Sequence, residues 1–258
     1  NLSDNQNELV KFESNAAVSA GRVRFLEGYP LNTFWGYKTD GYYKDSLAAT
    51  KAIPFNGSNR KVGAGDVKYV DVNGDGVVDQ GEGTLENHGD LVYLGTDAPR
   101  FSFGLNLGVE YKNFDFTLFL QGVGKRNFTP AYHYLAALTQ SWRQPLQILN
   151  DYWTPEKQNA LFPRPYYQDD YNYDPSDKWI FNAGYMRIKN IQIGYTLPQK
   201  ITKKFACERM RFFFTGQDIL TFTKMKGFED VYDPESRNGV INDYPFFSTA
   251  SFGLNVTF

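Results

Sequence analysis

Asp71, Asn73, Asp75, Asp79 and Glu82 fall at positions 1, 3, 5, 9 and 12 of the segment DVNGDGVVDQGE. Gly76 stands at position 6, and the backbone carbonyl of Val77 falls at position 7. This is the full spacing of a calcium-binding loop, in which the glycine makes a sharp turn and the other positions aim oxygens at one point. Calcium is a hard cation that takes six to eight oxygen ligands, so carboxylates, an amide and a carbonyl suit it. Gly63 and Gly65 precede the segment, and Gly81 and Gly83 bracket Glu82, so the flanks do not suit the paired helices of an EF-hand. A loop between strands, holding a structural rather than a regulatory calcium, is the expectation. An Asp/Asn/Gly turn that binds nothing fits the same residues. Glu82 is the weakest of the ligands, because a glycine on either side leaves its direction open.

No constellation of catalytic residues accompanies this loop, and an enzyme is not expected. His88 and His133 are the only histidines, and neither has a metal-ligand spacing. Asp169/Asp170 and Glu229/Asp230 are pairs of the kind a glycosidase uses, but in stretches this rich in Asp they read more simply as solvated charge. Cys207, the single cysteine, lies near Lys203, Lys204 and Arg209 with no partner base, so it reads as incidental. Trp142, Trp153 and Trp179, together with YYQDDYNYDP (Tyr166 to Pro175), have the broad faces that stack on a sugar or peptide. The same residues would equally serve as the small core of a long loop.

What must position these residues is a β-structure. Tyr (18), Phe (22) and Gly (23) are abundant among the 258 residues, a mixture that favours strands and turns. Five segments alternate with period two. They are Phe101 to Tyr111, Phe114 to Gly124, Tyr185 to Leu197, Arg209 to Leu220 and Thr249 to Phe258. In the first, Phe101, Phe103, Leu105, Leu107, Val109 and Tyr111 oppose Ser102, Gly104, Asn106, Gly108 and Glu110. In the third, Ile191, Ile193, Tyr195 and Leu197 share a face, with Arg187 and Lys189 in phase. A further strand is expected near Asn32 to Lys38.

Lys112 and Asn113 alone separate the first two strands, whereas Lys125 to Gly184 runs to about sixty residues and Thr221 to Ser248 is also long. Outer-membrane barrels alternate short periplasmic turns with long outer loops in this way. The class expected is therefore all-β, with C-terminal strands of a large antiparallel transmembrane β-barrel and long extracellular loops. Residues 1–100 would be mostly extracellular loop carrying the calcium-type loop at 71–82. Residues 101–258 would hold the membrane strands, with extracellular loops at 125–184 and 221–248. No apolar run approaches the roughly 18 residues of a spanning helix, which says nothing of a barrel. Five or six strands are too few to close a barrel, since the smallest has about eight. The chain is thus expected to be part of something longer. A net charge of −2 argues against a nucleic-acid partner.

Six stretches resemble the C-terminal part of the SusC/RagA-type TonB-dependent outer-membrane transporters of the Bacteroidota. They are EGYPLNTFWGYKTDGYY (Glu27 to Tyr43), GDVKYVDVNGDGVVD (Gly65 to Asp79), DAPRFSFGLNLGVEYKNFDFTLFLQGVGK (Asp97 to Lys125), YMRIKNIQIGYTLP (Tyr185 to Pro198), TGQDILTFTKMKGFEDVYDPE (Thr215 to Glu235) and FGLNVTF (Phe252 to Phe258). Asp218 stands where that family usually has Asn. The resemblance implies a plugged barrel of about 22 strands in the bacterial outer membrane. It also implies a SusD-like surface lipoprotein as partner, TonB as energy coupler, and glycan or peptide as cargo. The plug and remaining strands would come from the N-terminal part of the same transporter. Two other functions fit parts of the sequence. A secreted, calcium-stabilised carbohydrate-binding β-sandwich would show polar outward strand faces, and a glycoside hydrolase would turn over substrate.

Overall fold

The computed structural model describes residues 1–12, 17–56, 60–136, 138, 147–225, 227–236 and 247–258. Trp142 and the side chain of His133 lie outside the described residues. Thirteen strands follow one another: β1 (Leu2–Ser3), β2 (Gly21–Val23), β3 (Thr33–Gly36), β4 (Thr39–Tyr42), β5 (Val67–Tyr69), β6 (Val92–Thr96), β7 (Arg100–Tyr111), β8 (Phe114–Lys125), β9 (Asn127–Phe128), β10 (Phe181–Asn182), β11 (Tyr185–Thr196), β12 (Arg209–Thr223) and β13 (Thr249–Thr257). The α-helices are single turns, α1 (Ser46–Ala49), α2 (Tyr132–Leu135) and α3 (Gln199–Thr202). The fold class is all-β, as expected.

One antiparallel sheet takes the order β1-β7-β8-β11-β12-β13, and its five long members form a meander. Directly paired residues share a face, so the register traces rows across the sheet. Tyr111, Phe114, Tyr195, Phe212 and Leu254 make one row. Val109, Phe116, Ile193, Phe214 and Phe252 make the next, and Leu107, Leu118 and Ile191 the one after. The opposite face carries Asn106, Glu110, Asp115, Thr117, Gln192, Arg211, Thr215, Ser251 and Asn255. One side is apolar across five strands, and the other is mainly polar, with Phe119 and Phe213 standing among its polar residues.

In one stretch the sequence pattern misassigns the faces. Arg187 and Lys189 were expected in phase with Ile191, but the register shifts between Ile188 and Asn190 in both pairings of β11. Lys189 is an inserted residue, and a bulge of this kind moves the preceding side chains to the other face. Ile188 therefore joins the apolar row between Leu120 and Leu220, while Arg187 sits between Gln121 and Thr221 on the polar side. The partner strand is also irregular there, with Asp218 at φ 50°.

The first hundred residues also differ from expectation in part. β3 does form at Thr33–Gly36, but in a small sheet with β2 and β6. Leu2 and Ser3 pair with Phe103 and Ser102 as the sixth strand of the large sheet, a segment too short for periodicity to register.

Most of the remaining described residues fold into a body at the end of the sheet where β8 leaves and β11 enters, and two aromatic cores are found among them. Trp35, Tyr37, Phe55, Val67, Tyr69, Val78, Leu91 and Tyr171 belong to one, and Phe128, Phe162, Trp179, Met225, Phe228 and Tyr232 to the other. Loops this long would leave backbone groups unpaired if they packed as bare chain. Distant segments therefore exchange hydrogen bonds. Tyr37 N–H donates to Pro175 O (2.9 Å) and Asp177 N–H to Tyr37 O (3.0 Å). Tyr69 donates its hydroxyl to Tyr171 O at 2.7 Å. Asp66, fully buried, accepts from Arg60 Nη1 (2.7 Å), Gly63 N–H (2.7 Å) and Asn172 Nδ2 (2.9 Å), and so joins the 60s to the 170s.

Candidate functional site

The acidic loop is built from short side-chain-to-backbone turns. Asp71 accepts the N–H of Gly74 at 2.5 Å and that of Gly76 at 2.9 Å. Asn73 Oδ1 accepts Asp75 N–H (2.9 Å), and Asp75 Oδ1 accepts Val77 N–H (2.9 Å). Asn73 Nδ2 also donates to Asp75 Oδ2 at 3.0 Å, and Asp79 Oδ1 accepts Gly81 N–H at 2.8 Å. Gly74 and Gly76 sit at φ 80° and 91°, where a side chain is disfavoured, which is what the turn demands of those positions.

The loop hangs from the core by Val78, whose N–H donates to Pro54 O and whose carbonyl accepts Asn56 N–H, both at 2.8 Å. Val78 is buried, whereas Asn73, Asp75 and Glu82 are exposed. Asp71, Asn73 and Asp75 are thus brought together, with Asp79 behind them. Among the described residues, no group of three or more His, Cys, Asp or Glu side chains is gathered as a metal centre. Each engaged carboxylate oxygen keeps a lone pair, and the donor set is oxygen throughout, which suits calcium rather than zinc. Gly81 is closely packed, since a Cβ there would lie 2.4 Å from Asn87 Oδ1 and 2.6 Å from Gly89 N, whereas the Glu82 side chain stays exposed.

Sequence reasoning missed Asp90. It is fully buried and accepts Val72 N–H (2.6 Å) and Asn73 N–H (3.2 Å) on one oxygen and Asp79 N–H (2.9 Å) on the other. Its own N–H donates to Asp79 O at 2.9 Å. Asp90 therefore clamps both limbs of the loop from beneath, outside the twelve-residue pattern; no spacing rule points to it.

The other singled-out residues are structural. Trp153 and Trp179 are 4% and 2% exposed, so both are core. A Cβ on Gly65, at φ 87°, would come within 2.5 Å of Trp153, so the indole occupies the space that glycine leaves. His88 is half-buried, with its ring 5.5 Å from that of Trp35. Asp169 pairs with Arg60, while Glu229 and Asp230 are exposed. Cys207 is buried, with Sγ 3.2 Å from Phe205 O. Asp174 and Lys178 are among the groups of this body with displaced acidities. Burial pushes the Asp174 carboxyl up to about 6, helped by Asp170, and burial brings the Lys178 ammonium down to about 8. That ammonium lies 4.3 Å from the centre of the Tyr42 ring.

On the polar face of the sheet, Asp115 of β8 and Arg211 of β12 form an ion pair over Gly194 of the intervening β11. A Cβ at Gly194 would lie 2.4 Å from Asp115 Oδ1 and 2.5 Å from Arg211 Nη2, so the pair needs a glycine beneath it. At the bulge, Arg187 donates to Thr221 Oγ1 (2.7 Å) and Asp233 Oδ2 (2.8 Å), and Lys189 reaches Asp218 and Glu235 at 3.1 and 3.0 Å. The segment after β12 is thereby tied back to the sheet.

The apolar face has no such cover. Leu107 is 45% exposed, Val109 58%, Phe212 47% and Leu254 50%. A β-sandwich would lay a second sheet there, and among the described residues none is present.

No protein-family model matches the chain. It is similar along its whole length to TonB-dependent receptor P3 of Formosa agariphila, with 26% identity over 284 aligned positions that make up 26% of that protein. It is 29% identical over 194 positions to the TonB-dependent receptor SusC of Bacteroides thetaiotaomicron, covering 74% of this chain and 17% of that one. Among solved structures, it resembles the RagAB peptide transporter with a TM-score of 0.67 at 20% identity, covering 100% of this chain and 26% of that chain. The RagAB peptide importer in its closed-closed state gives 0.61 at 18% identity, covering 96% and 25%. The chain spans about a quarter of the length of the curated relatives that it matches end to end.

Proposed function

We propose that this chain, a homologue of the SusC/RagA-type TonB-dependent receptors, supplies part of the barrel wall and outer face of a bacterial outer-membrane importer of glycan or peptide. The observation that carries this reading is the uncovered apolar face, continuous over five strands and backed by a polar face that would line the lumen. Water would leave that face as a large exposed patch of the kind that soluble monomers avoid, whereas hydrocarbon accommodates it. From the row of Tyr111 to that of Phe103 is eight residue steps, about 27 Å of strand or about 20 Å of membrane normal at a tilt near 40°, close to the usual apolar band.

In this reading the chain moves cargo rather than transforming it. Its two-residue turn at Lys112 and Asn113 faces the periplasm, and the folded body, made of the described residues within 17–96, 126–183 and 224–236, faces outward. A SusD-like lipoprotein docks on that body, and the plug and remaining strands of the same transporter complete the barrel. TonB drives uptake. A structural calcium is held by Asp71, Asn73, Asp75, the Val77 carbonyl, Asp79 and Glu82, with Asp90 presetting the loop. The ion supplies charge that draws the acidic side chains together.

Two measurements test the reading. The native protein should be far larger than this chain and should require detergent. A maleimide on intact cells should label Glu156→Cys, which is exposed in the outer body, and spare Lys112→Cys. A small protein soluble without detergent, or the reverse labelling pattern, would overturn it.

A further inference from the structure

The connection between β11 and β12 has a pattern that neither cargo transport nor strand pairing requires. It leaves the sheet at Leu197, turns through α3 and a 3-10 turn over Lys203–Phe205, and returns at Arg209. Thr202 and Cys207 point in, with Cys207 N–H donating to Thr202 O at 3.2 Å and Ala206 adopting φ 53° to close the turn. Ile201 and Phe205 point out, 42% and 62% exposed, four residues apart. Lys200, Lys203 and Lys204 stand around them, all exposed, and none forms an ion pair among the described residues. Glu208 is the only acidic residue of the turn.

This turn lies at the same rim as the β7/β8 turn, since Thr196 N–H donates to Asn113 O at 2.8 Å. The aromatic row Tyr111–Phe114–Tyr195–Phe212 runs just above it on the apolar face, with the rings of Phe114 and Tyr195 4.5 Å apart. Lys112 places its ammonium 5.1 Å from the Tyr111 ring on the same rim. A row of aromatics followed by exposed apolar side chains ringed with lysines is the order of chemistries met on leaving hydrocarbon for a layer of phosphates.

We infer that the 198–208 turn is a membrane-interface anchor, in which Phe205 and Ile201 enter the acyl boundary while Lys200, Lys203 and Lys204 bind the headgroups of anionic phospholipid. The inference rests on the barrel reading. Continuity with the aromatic row argues for lipid rather than a protein partner, and the three unpaired lysines argue for an anionic headgroup rather than a neutral one.

The test uses the intact protein in bilayers of phosphatidylethanolamine with or without phosphatidylglycerol. In a Cys207→Ser background, nitroxides are attached at Phe205→Cys and, separately, at Leu107→Cys in the middle of the apolar belt. Paramagnetic relaxation by oxygen and by a water-soluble nickel chelate then reads their depths. Both labels should favour oxygen, with position 205 the shallower. If 107 is lipid-exposed while 205 is fully water-exposed, or shielded from both reagents, the anchor is wrong and the barrel stands. If 107 itself fails to favour oxygen, the barrel reading falls and the anchor with it. Lipid co-purified with the protein provides the second readout. Phosphatidylglycerol enrichment should fall about fivefold for each lysine changed to Gln, and enrichment unchanged in the Lys200→Gln/Lys203→Gln/Lys204→Gln variant would overturn headgroup recognition.

Discussion

Replacing Asp90 by Ala should loosen the acidic loop whether or not a metal is present. The carboxylate accepts three backbone amides, from Val72, Asn73 and Asp79, at 2.6, 3.2 and 2.9 Å. Hydrogen bonds to a charged acceptor contribute about 1.5–3 kcal/mol each, but the three do not simply add. Val72 and Asn73 are exposed, so water can replace the lost acceptor there, and removing a buried charge also recovers its own desolvation cost. What remains is chiefly the half-buried Asp79 amide and the lost linkage between the limbs, about 2–4 kcal/mol of local stability. At about 1.36 kcal/mol per decade this speeds amide exchange by about 30-fold to about 1,000-fold. Hydrogen–deuterium exchange of the intact protein in a calcium chelator, followed on peptides covering 70–80, measures it. Asp75→Ala is the control, because it removes a surface carboxylate that accepts from Val77 N–H and Asn73 Nδ2 and leaves the brace in place. Exchange within about threefold of wild type in the Asp90→Ala protein would refute the reasoning, since the loop would then be held by its own turns.

Asp75→Ala should instead abolish calcium-dependent protection of the same peptides and speed their proteolysis in calcium buffer; equal protection with and without calcium in the wild type would remove the ion from the account. Gly194→Val should displace the Asp115–Arg211 pair and lower barrel stability by about 1–3 kcal/mol, seen as a lower temperature of gel-mobility change, and should cost less once Asp115 and Arg211 are both Ala. Asp174 gives a pH dependence: its carboxyl titrates at about 6 in the folded state against 3.8 unfolded, so the protonated form is favoured by folding. That stabilisation is full below about 4 and lost as pH rises through about 6, so Asp174→Asn should flatten the fall in thermal stability of the outer body over that window. A variant with the parent's slope would show that another group is responsible.

The large sheet was legible because its signal is local. Period-two alternation needs no distant partner, and Leu105 to Tyr111 or Phe252 to Val256 declare both their strand and their face within a few residues. The same locality explains the failure at Arg187. A bulge is decided by two neighbouring strands together, and nothing in YMRIKNIQIGYT marks Lys189 as the inserted residue before Asn190 is known to oppose Phe119 and Gln217. The consequence is chemical, because the bulge puts Arg187 and Lys189 on the polar side, where they reach Asp233 and Glu235.

The outer body was illegible for the opposite reason. Its order comes from contacts between segments a hundred residues apart, such as Asp66 with Asn172 and Val67 with Tyr171, and single-sequence patterns carry no trace of them. The acidic loop combines both regimes. Positions 71 to 82 are recognisable because coordination geometry fixes their spacing, but the carboxylate that clamps the loop lies beyond the pattern and is recognisable only through its burial and its three amides. A loop preset in this way would lose little conformational entropy on taking up the proposed ion, so the folded body would contribute to affinity as well as the ligands. In the proposed calcium-bound state, Val78 and Leu91, which belong to the aromatic core around Trp35 and Tyr37, would carry the ion's effect inward, and the loop would act as a fastening of the folded body rather than an ornament on its surface.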